Sequence, residues 1–392
     1  MTGMPSKAKQ ERWQPASAVL LTGLAQSALL SCLPWLMDRS GLGATAWSWL
    51  LGGSLWGMML MAPLWGKWLD RRGAALGLWL SFSGFTLALA LLLLALGMVP
   101  GSLAMVGLLL VSRLVHSLFM AGVFPSAQYL QLQGLAPERW RGALARLSAL
   151  SQLGRLLGPA LVAAFAWWWP PLALLLVLLA SMLLAAALWR RQRLQSKGTD
   201  AKESAAPWAP ALPLYLLALV ITTALGQVQF LLGPLLQQGL GLSPEGASSL
   251  MGAYLALAAL VAALVGLGLV PRLGSSGQLA LGVLCLSLGG AWLGWSSPQQ
   301  GFWGPLALLS AGLALTSPWY GVKLRERWPR AQGRVAGRLS SLHTLGYGLG
   351  MVSGGWLLQK TPQTPLLGLA LLGPLLLALL AWQAWLDKKS RA

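Results

Sequence analysis

Arg146-Leu-Ser-Ala-Leu-Ser-Gln-Leu-Gly-Arg-Leu-Leu-Gly158 returns 192 residues later as Arg338-Leu-Ser-Ser-Leu-His-Thr-Leu-Gly-Tyr-Gly-Leu-Gly350, with eight identities in thirteen. A second echo stands at an offset of 200, where Gly41, Leu42, Ser48, Leu50 and Gly52 match Gly241, Leu242, Ser248, Leu250 and Gly252. The first places helix 5 opposite helix 11, and the second places helix 2 opposite helix 8. The chain is therefore a duplicated six-helix unit. Parallel duplication about an axis along the membrane normal puts a cavity at the junction of the halves, near mid-bilayer. The expected fold is all-α and polytopic, with 12 transmembrane helices as two pseudo-symmetric six-helix bundles around a central cavity.

The rest of the chain agrees. Of its 392 residues 56% are hydrophobic and 9% charged, against roughly 25% charged in ordinary soluble domains. A soluble protein of this size needs many more charges to cover its surface. A membrane helix needs about 20 mostly apolar residues. Such stretches fall at 16–37, 46–65, 75–98, 103–124, 143–167, 171–189, 212–236, 246–269, 277–296, 303–322, 336–357 and 366–386. The breaks between them are turn signals, among them Asp38-Arg39-Ser40-Gly41, Asp70-Arg71-Arg72-Gly73, Pro137-Glu138-Arg139 and Ser296-Ser297-Pro298. Residues 1–191 read as the N-terminal bundle, 192–211 as a polar cytoplasmic linker and 212–392 as the C-terminal bundle.

Lys and Arg set the orientation. With the N-terminus inside, 24 of the 28 basic residues lie at or near the cytoplasmic side, from Lys7 and Lys9 to Lys388 and Lys389. Arg39 and Lys360 fall outside, and Arg113 and Arg155 inside helices. Both termini are expected to be cytoplasmic, in a cytoplasmic (inner) membrane. The net charge of +19 is then a topology signal and implies no nucleic-acid partner. The first apolar stretch leads straight into a second and reads as an uncleaved helix rather than a signal peptide. Cys32 and Cys285 lie in apolar stretches, as small buried hydrophobes rather than a disulfide or zinc site. No metal or cofactor is expected.

Several motifs resemble those of the major facilitator superfamily, over essentially the whole chain. After helix 2, Gly66-Lys67-Trp68-Leu69-Asp70-Arg71-Arg72-Gly73 is similar to the family's loop signature, with Trp68 where Leu is usual and Ala74 and Ala75 where basic residues are usual. Arg113 stands on helix 4, followed by His116-Ser117 where the drug-exporter branch tends to have Gln-Gly. Gly154-x-x-x-Gly158-Pro159 resembles the helix-5 motif of the family's antiporters, with Val162 and Ala163 replacing the trailing glycines. Pro271-Arg272-Leu273-Gly274 is a degenerate second copy of the loop signature. The resemblance implies the 12-helix drug/metabolite exporter (H+ antiporter) branch. It gives Gly66, Asp70, Arg71, Gly73, Gly154, Gly158 and Pro159 a gating role. Physically, Asp70 can accept hydrogen bonds from another helix's N-terminal amides or pair with a neighbouring Arg. The glycines let helix backbones approach closely.

The nine acidic residues all fall in loops, tails or helix ends. Arg113 and Arg155 therefore lack an acidic partner in the membrane interior, where an unpaired guanidinium is costly unless it faces water or meets an anion. His116 shares the helix face of Arg113. These three read as a positive, partly titratable wall for a carboxylate held by a guanidinium fork. Arg113 also fits a packing role, bonded to backbone carbonyls. Gln26, Gln227, Tyr320, His343 and Tyr347 complete the candidate substrate contacts, and either histidine suits a proton-sensitive group.

The expected function is secondary active transport of a small anionic or zwitterionic metabolite by alternating access. Export is favoured, a carboxylate-type siderophore is one example of the class, and protons are the candidate coupling ion. An importer of the same class and a multidrug efflux pump are the alternatives. The latter usually needs a membrane-embedded acid. Enzyme chemistry at depth lacks its residues, and there is no Gly-x-x-x-x-Gly-Lys-Ser/Thr loop for ATP. The chain is expected to work as a monomer in the lipid bilayer.

Overall fold

In a computed structural model of the chain, the described residues are 13–133, 135, 140–192, 209–328, 332–361 and 365–389. Most of the expected linker lies outside them, as do Lys7, Lys9 and the turn Pro137-Glu138-Arg139. The described α-helices are α1 (Trp13–Ser31), α2 (Leu33–Ser40), α3 (Ala44–Arg72), α4 (Ala74–Leu96), α5 (Leu103–Leu132), α6 (Trp140–Phe165) and α7 (Pro171–Gln192). They continue as α8 (Leu212–Leu240), α9 (Pro244–Leu264), α10 (Ser275–Trp295), α11 (Trp303–Arg327), α12 (Gln332–Lys360) and α13 (Leu372–Lys389). Each of the twelve apolar stretches is largely helical. α1 and α2 are two limbs of the first, bent by 62°. The bend follows from Pro34 at the start of α2, which has no N–H to continue the ladder of α1.

By length and apolarity alone, seven helices can cross a membrane, and the bent α1–α2 pair makes an eighth. The other four are α3, α6, α11 and α12, of 29, 26, 25 and 29 residues. At 1.5 Å per residue they are about 38–44 Å long, ample for a span. Glycine, serine and arginine dilute their apolarity, because these helices use small residues to touch their neighbours. Tryptophans at helix ends, including Trp167, Trp168, Trp169, Trp295 and Trp385, are exposed, as an interfacial belt requires.

The chain divides into two compact units. The first comprises Met1–Leu42, Trp56–Asp200 and Pro244–Ala256; the second comprises Gly43–Leu55, Ala201–Ser243 and Leu257–Ala392. They differ from the two halves of the chain by one exchanged segment each, taken from α3 and α9. Within the first unit the main helix pairings are α4 with α5, α1 with α6, α4 with α7 and α1 with α7. Within the second they are α10 with α11, α8 with α12, and α13 with both α8 and α10. The pairings are the same in both copies of the repeat.

Glycine explains the tightest of them. A Cβ on Gly154 would stand 2.9 Å from the Leu24 nitrogen of α1, and one on Gly158 2.8 Å from that of Ala28. Their repeat partners meet α8 in the same way. A Cβ on Gly346 would lie 2.8 Å from the Leu219 carbonyl oxygen, and one on Gly350 2.6 Å from the Gln227 nitrogen. Ser27 Oγ donates to the Gly23 carbonyl at 2.9 Å and lies 3.5 Å from that of Gly154. Without side chains at these four positions the backbones themselves come into contact, which replaces the hydrophobic drive that lipid does not supply.

Candidate functional site

In the first unit, α5 carries Arg113 and His116 one turn apart, and both are buried. Arg113 is 6% exposed. Its Nη2 donates to Ser112 Oγ at 3.1 Å, and Ser112 Oγ donates to the Ala88 carbonyl of α4 at 2.7 Å. Its Nε is buried with no hydrogen-bond partner among the described residues. The His116 ring lies against Phe85 of α4, centroids 6.2 Å apart. Both side chains are thus taken into the packing of α5 on α4.

Arg155 is placed differently. It is exposed on α6, next to a glycine that packs on α1. Four residues on, the Pro159 carbonyl lies 2.6 Å from where a Cβ on Gly252 of α9 would stand, and the Ala163 nitrogen 2.8 Å from it. Ser249 Oγ donates to the Ala163 carbonyl at 2.7 Å. Residues four apart share a helix face, so Arg155 continues the Pro159–Ala163 stripe by one turn, past the contact with α9. Gln26 on α1 is half-buried.

The second unit gathers three of the predicted residues. Tyr320 of α11, 1% exposed, has its hydroxyl 2.8 Å from His343 Nε2 of α12 and donates to Ser317 Oγ at 3.2 Å. Tyr320 has one proton to give. When Ser317 receives it, the Tyr320 oxygen accepts from a protonated Nε2; when His343 receives it, Nε2 is the acceptor. The pair can therefore record the protonation state of the imidazole. Tyr347 lies one turn after His343 and is half-buried. It occupies the same position in the 192-residue repeat as Arg155. Gln227 is buried and donates to the Pro365 carbonyl at 2.9 Å.

Of the predicted gating residues, Gly154, Gly158 and Pro159 lie in the close contacts just described. Gly73, at φ +87°, makes the turn between α3 and α4 in a conformation that suits glycine. Arg71 is exposed, Gly66 is half-buried, and the side chain of Asp70 lies outside the described residues. Two features escaped the sequence reading. Trp65 of α3 donates Nε1 to the Leu118 carbonyl of α5 at 2.5 Å and fills the space above Gly122. Arg327 of α11 pairs with Asp387 of α13 and donates Nη1 to the Pro210 carbonyl at 2.5 Å. Gln383 Nε2 donates to Asp387 Oδ1 at 2.9 Å and lies 3.3 Å from the Pro210 carbonyl. No local motif signals either feature, because their partners are tens of residues away.

The family profile of the major facilitator superfamily matches residues 16–351. No curated protein matches the chain in sequence. Among solved structures, a bacterial homologue of the human lysosomal transporter Spinster, inward-facing and unoccupied, is 18% identical with a TM-score of 0.70, over 99% of this chain and 94% of that one. A bacterial homologue of the iron transporter ferroportin, in its inward-facing state, is 19% identical with a TM-score of 0.69, over 94% and 98%. The human organic anion transporter MFSD10 (TETRAN) is 20% identical with a TM-score of 0.66, over 96% and 100%.

Proposed function

This chain belongs to the major facilitator superfamily, and from that premise we propose that it exports a small anionic or zwitterionic metabolite. As a member of that family it is a multi-pass membrane transporter of small molecules working by alternating access, not an enzyme. The observation that carries the substrate class is the charge inside the spans: Arg113 and Arg155 are there, and none of the nine acidic residues is at mid-span. Arg155 is the open one of the two, and its guanidinium fork suits a carboxylate. Tyr320, His343 and Tyr347 supply hydrogen bonds and a group that titrates near neutrality. Arg113 and His116 act from within the α4–α5 packing. Organic anions are also what one of the structural relatives is named for. Export rests on the helix-5 motif at Gly154–Pro159, and the inside location of both termini, in a cytoplasmic membrane, rests on the basic residues.

Thermal stabilisation of the detergent-purified chain tests this reading. Polycarboxylates, and carboxylate siderophores with and without iron, should raise the melting point. Saturation at about 100 times Kd adds roughly 2.7 kcal/mol of stability by mass action. The effect should differ between pH 5.5 and 7.5, because His343 and its Tyr320 partner sense that interval. Stabilisation by lipophilic cations in place of carboxylates would overturn the anion reading. Equal stabilisation by carboxylates at the two pH values would remove the histidine from the mechanism.

A further inference from the structure

The membrane span that begins with α9 is not α-helical to its end. Val265–Leu269 forms a π turn, in which the Val270 N–H reaches back five residues to the Val265 carbonyl, and Val270–Arg272 closes the span as a 3₁₀ turn. Its counterpart in the first copy, α3, is α-helical from Ala44 to Arg72. A π turn is how an α-helix accommodates a single extra residue, and such turns are uncommon and concentrated at functional places.

The repeat shows the extra residue. Gly52 and Gly66 are echoed by Gly252 and Gly266 at an offset of 200, whereas Arg71 and Gly73 are echoed by Arg272 and Gly274 at 201. The added residue falls between Gly266 and Arg272, where the π turn lies. Packing separates the two copies in the same place. All buried residues of α9 fall between Gly246 and Leu255, and residues 256–272 include none. The corresponding stretch of α3 is anchored: Trp65 and Leu69 are buried, and Trp65 is tied to the Leu118 carbonyl.

We infer that Val265–Leu269 is a hinge, created by one residue inserted into the second copy of the repeat. The part of the span after Leu255 moves on this hinge during the transport cycle, while the matching part of α3 is held. Helices bend at π turns because the i to i−4 ladder is interrupted there. A segment with no buried side chain has little to oppose the bending. The two copies are thus unequal in motion although alike in pairing. This rests on the transporter reading only for its purpose, since the hinge itself is observable without substrate.

Amide hydrogen exchange on the full-length chain in micelles tests the hinge with no ligand added. Peptides covering 257–272 should exchange about tenfold or more faster than those covering 57–72. Deleting Gly268 should restore a continuous α-helix and bring the two segments to within roughly threefold, with the melting point kept. Equal exchange of the two segments in the unaltered chain would overturn the hinge. A deletion variant that melts normally but still exchanges fast would do the same. If Pro271→Leu alone slows exchange as much as the deletion, the proline makes the turn and the insertion is rejected. A failed ligand panel leaves all these readouts unchanged, so the two ideas fail separately.

Discussion

Gly350→Ala should destabilise the second unit by roughly 1–3 kcal/mol or more, the usual cost of overpacking a filled contact. The added methyl would meet the Gln227 nitrogen at 2.6 Å and the Gly226 carbonyl carbon at 2.9 Å, both backbone atoms of α8. No side chain can rotate out of its way. Gly154→Ala should cost a similar amount, since its Cβ would meet the Leu24 backbone nitrogen at 2.9 Å. Gly277→Ala on α10 is the control, because nothing lies within 4 Å of that position and alanine favours a helix by up to about 1 kcal/mol over glycine. Melting curves of the three variants, read by size-exclusion fluorescence, check the ordering. A Gly350→Ala chain as stable as the Gly277→Ala chain would mean that α8 and α12 do not touch through their backbones.

Arg155→Ala should abolish carboxylate-dependent stabilisation while leaving the unliganded melting point in place. The side chain is exposed on α6, and substitutions of exposed residues usually fall within about 0.5 kcal/mol. Losing a charged hydrogen-bond donor to an anion costs about 1.5–3 kcal/mol, or roughly 10- to 150-fold in Kd. Arg113→Met should behave in the opposite sense. Replacing a buried charge by an apolar side chain of similar length is often neutral or stabilising, and Arg113 is 6% exposed with its Nε unpartnered among the described residues. Titrating both variants with the best carboxylate of the panel separates the two arginines. Unchanged affinity in Arg155→Ala would remove it from the substrate contacts.

The helices were legible because the bilayer imposes a length and turn residues punctuate it. α4, α7 and α10 declare themselves by apolarity; α6 and α12 do so by the repeat, which aligns glycines that hydropathy counts against them. Gly154 and Gly158 could be singled out from their spacing of four, and so could the close approach it permits. What a linear reading leaves out is direction. Arg113 and Arg155 look alike in sequence, each a lone cation in an apolar helix. Only the position of α4 decides that Arg113 is enclosed beside Ser112 and Ala88, and only the docking of Gly154 on α1 decides that Arg155 stays open. The Tyr320–His343 pair likewise needs the register of α11 against α12. Trp65 needs Gly122, on another helix, to leave it room.

The glycine seams also fix an order of events at the ribosome. Ser27 and Gly154, which face each other across α1 and α6, are 127 residues apart, and Gly350 meets Thr223 of α8 across the same interval. At about 5–20 residues per second, translation needs roughly 6–25 s to cover that interval. During that time the first helix of each half has left the translocon while its partner is unmade, and its bare backbone groove faces lipid or the insertion machinery. Membrane quality control therefore meets each seam open before it meets it closed, and does so twice in every chain.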